Sequence, residues 1–537
     1  MSENQQNATS LQGEGIYGVL PPVRQVTEAA GAPFRLLARS RVVVAEAAQA
    51  EALRADAELL ATELATALDP VPTTAWAGAV GSAQVGGLAA EATTTPLPVV
   101  VGVAAQPGDV VLRLAPQVAG LASPEGYRLE ATSQAVTITA PTATGVFYGT
   151  RSLLQCLALS GGVQPCTVLD EPAKPVRGLH VDAGRKYFSP QWLQDRLQEM
   201  AWFKLNELQL HFSDNEGFRL ESRSHPEVVS EQHLTQAELG ELLATAARYH
   251  VQVVPALDVP GHMRQVLSAH PGLRAAESEA GRLLLDYSRP QARALVAELL
   301  EELVPLFGAR TWHLGGDEVF PVGGPAWDPG LHETLARDYP RLAAYAQEQV
   351  GPQATVLDGY VHYLGTVAAH LRRLGVRQVR AWNDALGIPG TSQRLDAEVV
   401  ITYWTAWHEG FAPVQDFVDA GHQVVNFNDA RFYYVLTTPG RAYWDRPTVE
   451  AAYAWRPGVF PALADGLPQT WGPGEEWDRG AVLSVWCDVP EAETEAEVAA
   501  GIRPLLVALA SRVWNPGDQS SYATWHARLR QLLPFDL

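Results

Sequence analysis

From Arg177 onward the chain alternates short apolar segments with amphipathic helices, and this alternation constrains the fold more than any other feature. Eight apolar segments predict strands, at residues 177–182, 206–212, 251–257, 310–315, 377–382, 398–403, 422–427 and 481–487. Helical spacing fills the gaps, as where Leu295, Leu299 and Leu303 recur on one face. Eight strand–helix units over about 350 residues predict an α/β fold, a (β/α)8 TIM barrel. The alternative is a doubly wound open sheet, but no Gly-rich phosphate loop follows the first strand.

The residues before the barrel show a different pattern. Short strands are predicted at 97–103, 110–114, 127–131 and 135–138, with helices at 46–68 and 144–157. Gly161, Gly162, Pro165, Pro172 and Pro175 mark a linker. The chain therefore divides into a polar N-terminal lead (1–30), a small α+β domain (31–170) and the barrel (171–537).

Composition excludes several classes of function. The 537-residue chain has a formal net charge of −21 and a pI of about 5.1, which disfavours nucleic acid and anionic membranes as partners. Its cysteines, Cys156, Cys166 and Cys487, show neither a disulfide framework nor metal-ligand spacing. No apolar segment reaches membrane-spanning length, and the N-terminus lacks the features of a secretory signal. We expect a cytoplasmic protein, although a secreted chain whose signal peptide had been removed would look the same.

Two adjacent acids, Asp317 and Glu318, follow the fourth predicted strand. In a strand they would point to opposite faces. Gly315 and Gly316 precede them and allow the backbone to leave the strand, so both acids can reach one pocket. Paired carboxylates with different roles are the usual equipment for cleaving a glycosidic bond.

Other strand ends carry the residue types of a sugar pocket. A barrel places its site at the carboxyl ends of its strands. The candidates there are Asp182, Arg185, His211, Asp214, Glu216, Asp258, His262, Trp382, Asn383, Asp384, Tyr403, Trp404, Asn426, Asn428, Asp429, Tyr433, Tyr434, Trp486 and Asp488. Carboxylates and arginine bind hydroxyls, and aromatic faces stack on sugar rings. The histidines His211, His262 and His313 lack metal-ligand spacing, so no metal or cofactor is expected.

Four motifs resemble the β-N-acetylhexosaminidases of glycoside hydrolase family 20. They are Arg177-Gly178-Leu179-His180-Val181-Asp182, residues 210–219 (LHFSDNEGFR), residues 255–262 (PALDVPGH) and His313-Leu314-Gly315-Gly316-Asp317-Glu318. Residues 124–129 and 147–151 also resemble the small domain that precedes the barrel in that family. The resemblance implies a retaining mechanism in which the 2-acetamido oxygen of the substrate, an oligosaccharide or glycoconjugate, is the nucleophile.

The resemblance also implies residue roles. Glu318 would be the general acid and then the base, with a pKa raised by the neighbouring charge of Asp317, and Asp317 would orient the acetamido group. Arg177 would clamp sugar hydroxyls, which requires strand one to begin earlier or tilt. Around the acid pair, the resemblance implies supporting roles for Asp214, Asp258, His262 and His313, and Asp214 and His262 would also bind substrate. The pocket walls would be Trp382, Trp404 and Trp486. Asp488 would bind outer hydroxyls, and Phe432, Tyr433 or Tyr434 would bind the acetamido group.

Several alternatives stay open at this point. The run Ser213-Asp214-Asn215-Glu216 departs from the commoner Thr-Asp-Asp-Gln and resembles the branch that cleaves biofilm polysaccharide. A lacto-N-biosidase of the same family is a further alternative. A non-catalytic carbohydrate-binding protein is disfavoured because both acids are present. A chitinase-type hydrolase needs an Asp-x-Asp-x-Glu run that residues 313–318 do not supply.

Overall fold

The computed structural model describes residues 15–68, 95–320, 328–438 and 446–533. Within this part, a mixed sheet of seven strands forms the N-terminal domain, in the order β1-β7-β5-β6-β4-β2-β3. Its strands are Gln25–Glu28 (β1), Val42–Val44 (β2), Val99–Val101 (β3), Asp109–Leu114 (β4), Tyr127–Ala131 (β5), Ala135–Ala140 (β6) and Cys166–Asp170 (β7). Helices Ala50–Leu68 (α1) and Ala143–Ser160 (α2) contact each other and the sheet.

Two strands of this sheet lie where the sequence pattern indicated none. β1 lies inside the residues interpreted as a polar lead, and it pairs antiparallel with β7, which lies inside the predicted linker. β1 is a short, mostly exposed edge strand, so it lacks an apolar alternation. The prolines around β7 obscure its buried–intermediate alternation. Residues 1–14 of the lead lie outside the described part of the chain.

Eight parallel strands close into a barrel, which confirms the predicted fold class. They are Val176–Asp182 (β8), Glu207–Asp214 (β9), Gln252–Leu257 (β11), Thr311–His313 (β12), Gln378–Trp382 (β13), Val400–Tyr403 (β14), Val424–Asn426 (β15) and Asp478–Trp486 (β19). Each strand pairs with the next, and β19 pairs with β8. This last pairing excludes the open sheet, which would leave two edges.

Four further strands decorate the barrel. They are Gly217–Phe218 (β10), Tyr433–Val435 (β16), Val459–Ala462 (β17) and Pro468–Thr470 (β18). β16 is the most informative of them, because it runs parallel to the carboxyl-terminal half of β19 beyond the end of β15. The seventh barrel strand is thus interrupted and then resumes near the rim.

Helices surround the barrel in the described residues. The α-helices are Pro190–Trp202 (α3), Gln236–Arg248 (α4), Arg264–Ala269 (α5), Pro290–Phe307 (α6), Leu331–Asp338 (α7), Pro340–Gln349 (α8), Val356–Arg373 (α9), Val414–Asp419 (α10), Asp429–Phe432 (α11), Val449–Ala454 (α12), Glu495–Trp514 (α13) and Tyr522–Leu532 (α14). Short 3-10 helices cover Gly15–Gly18, Ala47–Gln49, Pro226–Val228, Pro271–Leu273, Ala280–Arg282 and Pro490–Ala492. In α6 the predicted apolar face is buried, and Gly308 in the left-handed conformation ends the helix. None of the described helices has the length and apolar character to cross a membrane.

A buried charged contact joins the two domains at the amino ends of the barrel strands. Nη1 of Arg177, at the start of β8, lies 2.8 Å from a carboxylate oxygen of Glu125. Nζ of Lys204 lies 3.1 Å from Asp170, and Nε1 of Trp514 donates to the other oxygen of Asp170 at 2.9 Å. The Trp514 ring also faces both cations, at 4.6 Å from Lys204 and 5.2 Å from Arg177. Each buried charge therefore has an opposite charge within reach, which buried ions require.

Candidate active site

A pocket of about 380 Å³ opens at the carboxyl ends of the barrel strands. Its lining residues are Arg185, Glu216, Asp317, Glu318, Trp382, Trp404, Trp407, Tyr433, Val435, Trp486 and Asp488. The sequence analysis gave a role to seven of these, Asp317, Glu318, Trp382, Trp404, Tyr433, Trp486 and Asp488, and named Arg185 and Glu216 as candidates without one. Acids, one arginine and aromatic rings thus share one cavity.

Two glycines turn the backbone out of strand β12 and toward this pocket. Gly315 and Gly316 have φ values of +79° and +93°, a region that favours glycine. A Cβ atom on Gly315 would lie 1.7 Å from Oδ1 of Asp258, so no side chain fits there. The turn brings Asp317 and Glu318 to the same cavity, which is the arrangement that the paired glycines predict.

Asp317 is the more buried of the two acids. Its side chain is 10% exposed, against 58% for Glu318. Burial raises the pKa of Asp258 to about 6, and burial together with the charge of Asp258 raises the pKa of Asp317 well above its usual range. Carboxylate oxygens of the two acids lie within 4.8 Å of each other, so each negative charge opposes the ionisation of the other acid. Oδ1 of Asp317 is buried and has no hydrogen-bond partner within the described residues, so it can accept one from a ligand.

Glu318 is held by its backbone and faced by a histidine. Its φ is +48°, and its N–H donates to Oδ2 of Asp384 at 2.8 Å. Nε2 of His262 lies 3.5 Å from its carboxylate, and this hydrogen bond lowers the pKa of Glu318. The expectation of a raised pKa for Glu318 was therefore wrong for this structure. Asp317 is the group whose pKa is raised, while His262 favours the charged form of Glu318.

A chain of hydrogen bonds runs behind His262. Its Nδ1 lies 3.1 Å from Oδ1 of Asp214, whose Oδ2 lies 2.8 Å from Nε2 of His211. Burial alone would lower the pKa of His262, but Asp214 and Asp317 raise it well above its usual value. Burial opposes the charge of Asp214, yet His262 and Arg185 hold the pKa of Asp214 well below its usual range. His262 is therefore a cation between Asp214 and the acid pair, while Asp214 lies behind the pocket and does not line it.

Aromatic rings form the walls. The planes of Trp404 and Tyr433 are nearly parallel, with centroids 5.9 Å apart. Nε1 of Trp404 donates to Oδ1 of Asp384 at 2.9 Å, so the carboxylate that holds the backbone of Glu318 also orients this wall. Burial and the charge of Asp317 raise the pKa of Asp384 to about 7. Nε1 of Trp382 is buried and has no partner in the described part of the chain.

The arginine in the pocket is Arg185, and the assignment of the hydroxyl clamp to Arg177 was wrong. Arg177 lies at the amino end of β8 and is buried against Glu125, at the opposite end of the strand from the pocket. Arg185 follows the carboxyl end of β8. Its guanidinium lies 2.9 Å from Asp182 and 3.2 Å from Asp214, and 5.2 Å from the centre of the Trp486 ring.

The adjacent residues Tyr433 and Tyr434 of strand β16 have different surroundings. Successive strand residues point to opposite sides. Tyr433 and Val435 line the pocket, whereas the hydroxyl of Tyr434 donates to Glu493 at 2.8 Å and accepts from Arg446 at 3.1 Å. Tyr434 is therefore not a pocket residue in this structure, and Phe432 packs against Trp455 instead.

His313 supports the pocket from below. The Gly315 N–H donates to its Nδ1 at 3.0 Å, so the ring proton lies on Nε2, which contacts Oγ1 of Thr402 at 2.8 Å. Burial, together with Arg380, lowers the pKa of His313 well below its usual value. Its ring lies 4.5 Å from that of Trp382, so it supports a wall residue.

Two groups of acids and histidines near the pocket have ligand atoms close enough to share a metal ion. They are Asp182, His211 and Asp214, and Asp258, His262 and Asp317. Arg185 forms ion pairs with both acids of the first group, and the cationic His262 belongs to the second. The protein's own cations thus meet these carboxylates, and the geometry does not favour a metal in the pocket.

Trp407 and Val435 are pocket residues that the sequence analysis did not name, and Glu216 was placed at the rim without a role. Nε1 of Trp407 donates to Asp429. The available signal for Trp407 was its position three residues after Trp404, which directly follows the predicted strand 398–403. No such signal existed for Val435, which is an ordinary apolar strand residue.

Comparisons with known proteins agree with this geometry. A model of "Glycosyl hydrolase family 20, catalytic domain" matches residues 175–517, and one of "Glycosyl hydrolase family 20, domain 2" matches residues 17–171. A lacto-N-biosidase from Bifidobacterium bifidum is 28% identical over 417 residues, which cover 75% of this chain but 34% of that protein. A β-N-acetylhexosaminidase from Cellulomonas fimi is 26% identical over 458 residues, covering 80% of this chain and 82% of that protein.

The fold is also that of solved structures. The GH20 β-N-acetylhexosaminidase of Streptomyces coelicolor A3(2) superposes with a TM-score of 0.70 at 21% identity, and the alignment covers 97% of each chain. At this identity the likeness concerns the fold alone. It includes the small domain before the barrel, because nearly the whole of both chains is aligned.

Proposed function

The chain belongs to glycosyl hydrolase family 20, and from this membership we propose that it releases terminal, non-reducing N-acetylglucosamine or N-acetylgalactosamine from glycans with retention of configuration. The chain is a glycoside hydrolase, and its specificity and mechanism are the proposal. The observation that carries it is the pair of Asp317, with its unpartnered buried oxygen, and Glu318, exposed beside it in an aromatic pocket.

Glu318 is the general acid of the proposed mechanism. Its exposed carboxyl can reach the leaving-group oxygen, whereas Asp317 lies deeper. A bound sugar excludes water from Glu318, and burial raises the pKa of a carboxyl. The substrate itself therefore opposes the effect of His262 and favours the protonated acid. After the aglycone leaves, the carboxylate of Glu318 activates the attacking water.

Asp317 positions the substrate's own nucleophile. Its free Oδ1 accepts a hydrogen bond from the acetamido N–H, which turns the acetamido oxygen toward the anomeric carbon. The oxygen closes on that carbon and gives an oxazolinium ion. The carboxylate of Asp317 lies beside this cation and stabilises it in a site that excludes water.

The walls fit the other parts of such a sugar. Trp382, Trp486 and Tyr433 surround the cavity with apolar faces, and Arg185 and Asp488 offer a donor and an acceptor for ring hydroxyls. A lacto-N-biosidase activity would place a disaccharide in this cavity. The Bifidobacterium bifidum relative favours testing that activity beside the first.

A panel of p-nitrophenyl glycosides tests the proposal. We expect hydrolysis of β-N-acetylglucosaminide and β-N-acetylgalactosaminide and almost none of β-glucoside, which lacks the acetamido group. Release of lacto-N-biose from its aryl glycoside, without cleavage of the monosaccharides, would instead assign the alternative activity. Turnover of none of these substrates would contradict both.

The nucleophile is tested separately. A thiazoline analogue of the bicyclic intermediate should bind far more tightly than the free sugar, as ligands that resemble the transition state do. Incubation with a 2-fluoro glycosyl fluoride should give no covalent adduct by mass spectrometry. An adduct on Asp317 or another carboxylate would indicate double displacement and contradict the proposed mechanism.

A further inference from the structure

A cluster of two histidines and two glutamates lies on the surface outside the pocket. Nδ1 of His225 and Nε2 of His270 each lie 2.9 Å from Oε1 of Glu227. The other nitrogen of His225, Nε2, lies 3.0 Å from Oε2 of Glu298. The ligand atoms of His225, Glu227 and His270 lie within 4.8 Å of one another.

The cluster joins segments that are distant in the sequence. His225 and Glu227 flank the start of the 3-10 helix Pro226–Val228, between β9 and α4, and His270 follows α5. Glu298 lies on α6. The side chain of Gln265 in α5 also donates to the carbonyl of Val228 at 3.0 Å. Two excursions from the barrel rim, the segments that follow β9 and β11, thus meet at this point.

The contacts of His225 are difficult for a neutral ring to satisfy. A neutral imidazole has one N–H and one lone pair. Both nitrogens of His225 face carboxylate oxygens, at 2.9 and 3.0 Å. If Nε2 donates to Glu298, the lone pair of Nδ1 faces the carboxylate oxygen of Glu227, so these two atoms are placed as a pair of ligands for one cation.

We propose that His225, Glu227 and His270 bind one zinc ion. Two imidazoles and a carboxylate are a common zinc ligand set that leaves a further position for water. Glu298 then has the role that a carboxylate has behind most metal-bound histidines, since it fixes the ring tautomer through the distal N–H.

The ion would connect the two rim excursions that carry parts of the active site. The excursion after β9 begins at Asp214, and the one after β11 contains His262. Zinc at this cluster therefore stabilises the rim from outside and takes no part in the chemistry of Glu318.

Titration of the full chain with zinc chloride tests the site, after treatment with EDTA and exchange into chelator-free buffer. We expect one equivalent to bind by isothermal titration calorimetry and the melting temperature to rise on binding. His225→Ala and His270→Ala should each weaken binding by more than about 10-fold, and Glu298→Gln by about 10- to 100-fold. His233→Ala is the matched control, because His233 lies in the same excursion but contacts the Ser230 carbonyl, and it should bind zinc like the parent protein.

Two results would overturn the proposal. If no zinc binds, the cluster is held only by its own hydrogen bonds and is not a metal site. If binding persists in both histidine variants, the ion binds elsewhere. Circular dichroism checks the fold of each variant without zinc, and the more exposed His270→Ala carries the test if His225→Ala does not fold. The outcome is independent of the glycosidase proposal, because binding and melting need no substrate.

Discussion

Two arginines at opposite ends of β8, Arg177 buried and Arg185 partly exposed, show how a structural site differs from a chemical one. Arg177 donates to Glu125, to the carbonyls of Lys204 and Lys174, and to the hydroxyl of Tyr148. Its environment supplies one carboxylate and neutral acceptors. The charge of Arg177 is therefore balanced by protein groups that contact it directly.

Arg185 lies in the opposite environment. The carboxylates of Asp182, Asp214 and Glu216 approach it at 2.9, 3.2 and 3.6 Å, and Asp488 lines the same cavity. Asp317 and Glu318 line this cavity too, whereas its cations are Arg185 and His262, so this end holds more acids than cations. Excess negative charge at an open pocket suits a reaction that develops positive charge. At the structural end the charge of the arginine is fully paired, whereas at the chemical end the acids outnumber the cations.

Removing one acid near each end of β8 should give the largest difference in kcat. Glu318→Gln should lower kcat for substrates with poor leaving groups by about 10²- to 10⁴-fold, the usual contribution of a general acid, and much less for activated aryl glycosides. Glu125→Gln, at the Arg177 end, should change stability and not kcat. Steady-state kinetics on both substrate types measure the effect, and equal losses on both would remove the acid role from Glu318.

Removing each arginine should separate binding from stability. Arg185→Met should lower kcat/KM by at least about 30-fold, the equivalent of about 2 kcal/mol for a buried charged contact. Arg177→Met should lower the free energy of unfolding by about 3 kcal/mol, because Glu125 loses its partner, with little change in activity per folded molecule. Urea unfolding and kinetics on the same samples decide. Lost activity with unchanged stability in Arg177→Met would break the comparison.

The Asp214–His262 pair predicts a pH dependence of stability. The pKa of Asp214 is lowered on folding, so its contribution is present above about pH 4 and is lost as pH falls through the folded-state value. The pKa of His262 is raised, so its contribution is complete below about pH 6.5 and is lost as pH rises through the folded-state value. Asp214→Asn should therefore lower the melting temperature most between about pH 4 and 6.5, by ~2 °C or more. A difference that grows at alkaline pH would contradict the assignment.

Asp384→Asn should have the smallest effect. The Glu318 N–H and Trp404 donate to different oxygens of Asp384, and an amide keeps only one oxygen, so one of the two hydrogen bonds is lost. We expect kcat to fall less than about 10-fold, since one neutral hydrogen bond is worth about 1 kcal/mol, with KM nearly unchanged. Asp429→Asn, which affects only the Trp407 side of the wall, is the matched control. If both variants change KM alone, Asp384 does not position Glu318.

Sequence patterns predicted the barrel strands and the glycine turn, but they did not show which way individual side chains point. The barrel strands are apolar segments long enough to recognise, and the Gly315–Gly316 turn is a local property of two residues. The strand pattern already placed Arg177 at the amino end of strand one and Arg185 beyond its carboxyl end, and the wrong role of Arg177 came from the family resemblance. Tyr433 was separated from Tyr434 by the pairing of β16 with β19, which no local pattern shows. The cluster of His225 and His270 arises from packing between two excursions and has no sequence spacing to read.

The closure of the barrel by β8 and β19 has a consequence for synthesis of the chain. β8 is complete early, but its second partner is among the last strands to be made, and Trp514, which contacts Asp170 of the N-terminal domain, follows later still. Contacts so distant in sequence form slowly. During translation the nascent barrel therefore carries two unpaired strand edges, β8 and β15, which are sites for misassembly. In a chain whose synthesis ends before residue 478, the first and seventh barrel strands can pair only with another molecule.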